Sequence, residues 1–280
     1  MISTMGQTKH STHNKHNDSS ASLNLKHPSS SDSSSPTSSL AFFLGLILIG
    51  LLIQICGTLK ADRLVFPSVL EILNAFFCLL GQGETYAKIA TTLGHLILAL
   101  LLSSVIGLSL GLLQGANSFV RNLLKPLMIF LRSIPMIVLV VIIMVLTRYE
   151  NVPLVATTIF LIPLISEPAC QGYISLSRDH RDLLDVARLE SRLNPRILRL
   201  VHLPLMAGYL RQAYITAAGM GMKMLISSEY LVQARNSLGK AIHTSSYFND
   251  YPSIYAYALL MILLILLTTE LPSFILRSKG

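Results

Sequence analysis

A membrane-spanning helix needs about 20 consecutive, predominantly apolar residues, because each residue rises 1.5 Å and the hydrocarbon layer is about 30 Å thick. This sequence contains six stretches near that length. Leu40–Leu59 (LAFFLGLILIGLLIQICGTL) carries no charge, and Ala90–Gln114 carries only His95 near its start. Leu127–Thr147 is interrupted early by Arg132 and Pro135, and Leu154–Tyr173 has Glu167 near its end. Leu205–Val232 is the most polar, with Arg211, Lys223 and Glu229. Tyr255–Thr269 is short but intensely apolar and extends toward Leu276. The pattern predicts an all-α fold, a polytopic membrane helical bundle with about six transmembrane helices.

Composition agrees. Only 13% of the 280 residues are charged, about half the share of an average soluble domain. The first 39 residues stand apart, with 13 serines, four histidines (His10, His13, His16, His27) and almost no large apolar side chains. Such a segment cannot bury enough surface to offset its chain entropy, which predicts a disordered tail over 1–39. The spacing of His10, His13 and His16 invites a metal reading, but it comes without cysteine or a rigid scaffold and no metal site is assigned. Cys56, Cys78 and Cys170 are too few for a disulfide framework, and Cys56 and Cys170 fall in apolar runs as small packing residues.

The net charge of +8 is an orientation signal. With six spans both termini lie on one side, and that side carries thirteen Lys and Arg against six on the other, with three inside spans. The positive-inside rule then places both termini in the cytoplasm, together with the loop between the fourth and fifth spans. A nucleic-acid role would need a basic face with readout residues, and the chain has none that we recognise.

Two spans carry small residues every four positions: Gly107, Gly111 and Gly115 in the second, and Ala213, Ala217 and Gly221 in the fifth. Small residues on one helix face let backbones approach closely, either within the chain or against another subunit. Ionisable residues inside spans are costly and mark functional candidates. Lys223 could attract an anionic solute. Glu229 is a second candidate, with solvation at the outer interface as its alternative; six residues apart, the two do not share a helical face. Ser227, Ser228, Ser103 and Ser104 could line a path or bond back to their own helix. Arg132 and Arg211 could snorkel from the first turns of their spans, and His95 and Glu167 are read as interfacial.

The remaining anomaly is DVARLESRLNPRILRLVHLP, Asp185 to Pro204, with four arginines between two oily runs. Helix formers run to Ser191; Asn194-Pro195 then ends one helix and starts another, since Asn caps well and Pro suits the first helical position. The result is a cytoplasmic helix–turn–helix, about Arg181–Arg192 and Pro195–His202. Leu183, Val186, Ala187 and Leu189 form one apolar side, and Ile197, Leu198, Leu200 and Val201 the other. That face must be buried on lipid or on a protein partner.

The spacing Asp185-Val186-Ala187, three residues, Ser191, nine residues, Val201-His202-Leu203-Pro204 resembles the "EAA" loop of ABC importer permeases. In that family the pattern is Glu-Ala-Ala, three residues, Gly, nine residues, Ile, any residue, Leu-Pro. Phe66-Pro67-Ser68 with Val69-Leu70 resembles the family's periplasmic segment. Arg121 to Pro126 followed by Leu131-Arg132-Ser133-Ile134-Pro135 resembles the passage that opens its third span. Glu229 followed by Ser237-Leu238-Gly239 resembles an acid and Gly-Leu-Gly in the nitrate, sulfonate and taurine branch. The sequence departs at Val186, at Ser191, and at Leu146-Thr147-Arg148-Tyr149-Glu150, where a Trp-Phe-Gly often stands; the chain has no tryptophan.

The resemblance implies a type I permease core over 90–276, after a first transmembrane helix (40–59) and a periplasmic segment (60–89), with a coupling loop at 174–204 and a short cytoplasmic end (277–280). It implies partners: a cytoplasmic ATPase subunit, a second permease subunit, identical in a homodimer, and a periplasmic or lipid-anchored solute-binding protein, all at the bacterial inner membrane. No cofactor is expected on this chain, since ATP is used by the partner and no G-x-x-x-x-G-K-[ST] loop occurs here. Asp185, Ala187, Ser191, Leu203 and Pro204 would couple to the ATPase. Lys223, Glu229, Ser227 and Ser228 would belong to the path of a small, anionic solute. A degenerate permease, and a membrane-anchored regulatory protein with a basic loop, are the competing readings. A membrane enzyme would need a nucleophile–base pair or metal motif near the spans, and none is apparent.

Overall fold

The computed structural model describes residues 67–179 and 203–277, together with Leu44, Gly45, Leu48 and Ile55. Most of Leu40–Leu59, the tail 1–39 and most of the coupling loop therefore lie outside the described residues. Helices account for nearly all of what is described. They are α1 Val69–Gly81, α2 Gly83–Ala116, α3 Ser118–Ser133, α4 Met136–Leu146, α5 Val152–Asp179, α6 Ala207–Val232, α7 Leu238–Tyr247 and α8 Tyr251–Arg277. A 3₁₀ turn, Tyr149–Asn151, precedes α5, and one helical turn, Leu203–Leu205, precedes α6.

Local chemistry sets the ends. Ser68 and Glu71 form a reciprocal capping box on α1: the Glu71 N–H donates to Ser68 Oγ (3.3 Å) and the Ser68 N–H to Glu71 Oε2 (2.9 Å). Asn117 ends α2 and starts α3, its side-chain oxygen accepting from the Phe119 N–H at 2.9 Å. Ser237 caps α7 by accepting from the Lys240 N–H at 3.2 Å. Between α6 and α7 the chain turns through two left-handed residues, Gln233 (φ 50°) and Asn236 (φ 58°).

Gly83–Ala116, Tyr149–Ser175 and Tyr251–Thr269 are each long and apolar enough to cross a membrane. The stretch 127–147, expected as a span interrupted near its start by Arg132 and Pro135, is broken at that point. Ile134 adopts an extended conformation (ψ 128°), as steric clash with a following proline demands, and α3 and α4 meet at a 104° bend. With 11 residues, α4 is about 16 Å long and crosses only in combination with α3. Within the segment 60–89 lies α1, and α2 begins at Gly83, ahead of the apolar run from Ala90, which puts His95 three turns inside a helix.

At the centre stand α2, α5 and α6. Ala99 of α2, Leu161 and Ile165 of α5 and Ala217 of α6 pack together there. A second cluster joins Leu139, Val140 and Ile143 of α4 to Val152 and Ala156 of α5 and Met224 and Val232 of α6. A third joins Phe76 and Leu79 of α1, Leu96 of α2, Met222, Leu225 and Ile226 of α6, Leu238 of α7, and Ala256 and Leu260 of α8. Such enclosure explains why α6 tolerates Glu229: its neighbours, not lipid, surround that side chain. The large apolar side chains left exposed on α2, among them Ile97, Leu101 and Val105, form a face suited to lipid.

Candidate functional site

The small-residue stripes lie at the central contacts. A Cβ at Gly107 would sit 3.1 Å from the Ile162 carbonyl oxygen. One at Gly111 would sit 2.5 Å from the Ser166 carbonyl oxygen, and one at Gly115 2.7 Å from Tyr173 Cβ. These three glycines therefore face α5 within the same chain. Next to them Gln114 Nε2 donates to Ser166 Oγ at 2.9 Å, in a buried bond. Arg121 closes the end of α2, its Nε donating to the Gln114 carbonyl at 3.0 Å, where the helix dipole favours a cation. On α6, Ala213 and Ala217 are buried, and Gly221 leaves room for Leu161 and Leu96, whose Cδ1 atoms would each lie 3.2 Å from an added Cβ.

The rest of α6 and α5 defines a polar lane. On α5, residues 162, 165, 166, 169 and 173 meet α2, while Leu161 and Gly172 meet α6. Glu167 and Gln171 fall outside both contacts and are exposed. On α6, Gln212, Met220 and Lys223 are exposed, and Thr216 and Ser227 partly so, at spacings that form one stripe. Helical register puts both stripes on the same side of the α5–α6 contact, the side away from α2. Arg132, in the last turn of α3, forms an ion pair with Glu167; the two side chains are 60% and 50% exposed. The structure thus pairs Arg132 and Glu167, which read singly in the sequence as snorkelling and interfacial. Lys223 has no ion-pair partner among the described residues.

Ser228 and Glu229 lie elsewhere. Both are fully buried on a different side of α6 from Lys223, and the Ser228 hydroxyl donates back to the Leu225 carbonyl at 2.7 Å. Ser103 and Ser104 also bond back to a carbonyl of their own helix, that of Leu100. Glu229 is not solvated at an interface. Its Oε2 accepts from Thr92 Oγ1 (3.0 Å) and from the Gly239 N–H (3.3 Å), and its Oε1 lies 3.4 Å from His95 Nδ1. Thr92 Oγ1 in turn accepts from the Leu238 N–H at 3.2 Å. One carboxylate thereby joins α2, α6 and the N-terminus of α7, where an anion is electrostatically favoured. Gly239 is required there: a Cβ would collide with Glu229 Cβ and lie 2.5 Å from the Tyr230 nitrogen.

Of the coupling residues, Leu203 and Pro204 lie in the turn that leads into α6. Asp185, Ala187 and Ser191 are outside the described residues. Sequence reading missed Thr92, the Arg132–Glu167 pair and the Gln114–Ser166–Arg121 group. Only the rule that charges inside membranes tend to pair offers a signal, and only for Arg132 and Glu167.

A bundle of apolar helices around a central helix with an enclosed carboxylate is the architecture of a membrane-embedded protein. Residues 103–277 match the family model of the binding-protein-dependent transport system inner membrane component, and the chain belongs to that family. It is a permease subunit of an ABC importer, which implies an ATPase partner and a second permease subunit. A probable ABC transporter permease protein of Brucella melitensis biotype 1 is 24% identical over 217 residues, covering 76% of this chain and 86% of the relative. A counterpart in Brucella abortus strain 2308 is also 24% identical over 217 residues, covering 76% of this chain and 85% of the relative. Among solved structures, the fold resembles a chain of the MetNI methionine ABC transporter in an inward-facing form. The TM-score is 0.60 at 20% identity, over 69% of this chain and 94% of that one.

Proposed function

We propose that the lane formed by Gln171, Glu167, Gln212, Thr216, Lys223 and Ser227 lines the solute path, facing an identical second copy of the permease. Lys223 carries this reading. It is an exposed charge on α6, a helix of the packed centre, without an ion-pair partner among the described residues. Such a residue is stable where it faces water or protein rather than acyl chains. A lysine there favours a small anionic solute, of the nitrate, sulfonate or taurine kind. A binding protein delivers that solute at the periplasmic face of the inner membrane, and both termini are cytoplasmic, as the distribution of Lys and Arg supports. Uptake by proteoliposomes holding the full complex tests it, with nitrate, taurine and methionine as probes. Lys223→Gln is expected to lower uptake of the anionic probe roughly tenfold while leaving basal ATP hydrolysis intact; a step of that size is about 1.4 kcal/mol. Unchanged uptake in Lys223→Gln, or transport of methionine alone, would count against an anion path.

The segment from Asp185 to Pro204 docks on the ATPase and passes its closure to α6 through Leu203-Pro204, acting as the lever of a two-state element. Asp185 is proposed to cap or pair with a basic group, and Ser191 to sit at the bend between the two loop helices. Replacing Asp185 and Ser191 together with lysine is expected to strip the ATPase from the purified permease and abolish uptake. Full retention of the ATPase with normal uptake would remove the segment from the coupling role.

A further inference from the structure

Resting on the solute path just proposed, we propose that Arg132 is a specificity-determining residue, held by Glu167 until an anionic solute arrives. The guanidinium then exchanges the Glu167 carboxylate for the solute's sulfonate, carboxylate or nitrate oxygens. Three observations carry this. The pair lies inside the membrane part of α5: Glu167 precedes the end of the crossing segment at Ser175 by eight residues, about 12 Å. Half or more of each side chain is nevertheless exposed, 60% and 50%. A structural ion pair in a membrane protein is normally enclosed, because charge at that depth is costly unless it meets water or protein. The contact also involves one terminal nitrogen, Arg132 Nη1, so the guanidinium keeps donors that can take a second planar anion.

Position adds a second argument. Leu161 packs beside Gly221, and Gly172 beside Tyr209. That register sets Lys223 about 12 Å further along the lane than Glu167. An anion held first at Lys223 meets Arg132 next, and per subunit the lane keeps one net positive charge with the pair closed. Arg132 also stands two residues before Ile134, where the chain bends by 104°. Any change in that bend moves the guanidinium relative to Glu167, and so ties its release to the conformation of the permease.

The test needs no knowledge of the natural solute. In the full complex, Cys56, Cys78 and Cys170 are replaced with alanine, and Gln171→Cys supplies a single thiol one turn from Glu167. The probes are the anionic 2-sulfonatoethyl and the cationic 2-(trimethylammonio)ethyl methanethiosulfonates, compared as a ratio of labelling rates. Arg132→Gln is expected to lower the anionic-to-cationic ratio, and Glu167→Gln to raise it, each by roughly threefold or more. Arg132→Lys, which keeps the charge, should stay near the parent ratio. Ratios unmoved by both Arg132→Gln and Glu167→Gln would overturn the exchange while leaving the path in place. A thiol at 171 that reacts with neither reagent would instead overturn the path, and the exchange with it. Should Arg132→Gln fail to assemble, Glu167→Gln, similar in shape, decides alone; if both fail to assemble, the pair is a structural tie and the proposal is wrong.

Discussion

Valine at Gly111 is expected to abolish recovery of the folded permease. The added Cβ would stand 2.5 Å from the Ser166 carbonyl oxygen and 2.7 Å from Ala169 Cβ. Neither is the free end of a flexible side chain, so the two helices themselves must separate. Separation would break the buried bond between Gln114 and Ser166 and leave both groups without a partner. Ordinary overpacking costs about 1–3 kcal/mol; a clash with backbone at the closest helix contact should exceed that. Gly94, on the same helix, is the control, because a Cβ there meets nothing within 4 Å. Monodisperse recovery after detergent extraction should be lost with Gly111→Val and kept with Gly94→Val. Equal recovery of the two would mean that the α2–α5 contact is looser than the structure has it.

Removing the carboxylate of Glu229 is the second large perturbation. With Glu229→Ala, the Gly239 N–H and the Thr92 hydroxyl both lose their acceptor in a site sealed from solvent, and α7 loses the anion at its N-terminus. A cost of about 3 kcal/mol is expected from leaving two buried donors without an acceptor. Glu229→Gln keeps an oxygen able to accept from both donors and should cost about half as much. The effect should concentrate in α7, because its first two N–H groups are those tied to the site. Amide exchange over Leu238–Tyr247 should accelerate by about a hundredfold in Glu229→Ala, following the free energy of local opening. If exchange in α7 stays at the parent rate while another region opens, the carboxylate anchors something other than α7. Gly239 constrains the same junction from the other side, since no larger residue fits against Glu229 and Tyr230.

Much of the scaffold could be read from apolar runs. Ala90–Gln114, Leu154–Tyr173 and Tyr255–Thr269 fall inside α2, α5 and α8, because burying a helix in lipid requires a long uncharged segment whatever its neighbours are. Pro135 marked the break in the third span, since a proline's steric demand is local. The four-residue spacing of Gly107, Gly111 and Gly115 marked a packing face for the same reason: helical periodicity is a property of one element alone. The bend of 104° was not readable, because α4 packs on α5 and α6 to set its direction.

The site divides along the same line. That Lys223 and Glu229 occupy different faces of α6 follows from their six-residue spacing. Which face is enclosed does not, because it depends on where α2 and α7 lie. Sequence alone determined that this chain is a bundle of membrane helices with charges that need partners, since lipid leaves those charges no other stable surroundings. Tertiary structure alone decided the partners. Thr92 and Glu229 are 137 residues apart, and Arg132 and Glu167 are 35 apart. Only the packing of α2 on α6, and of α3 on α5, brings each pair within reach, burying the first as an anchor and leaving the second open on the lane.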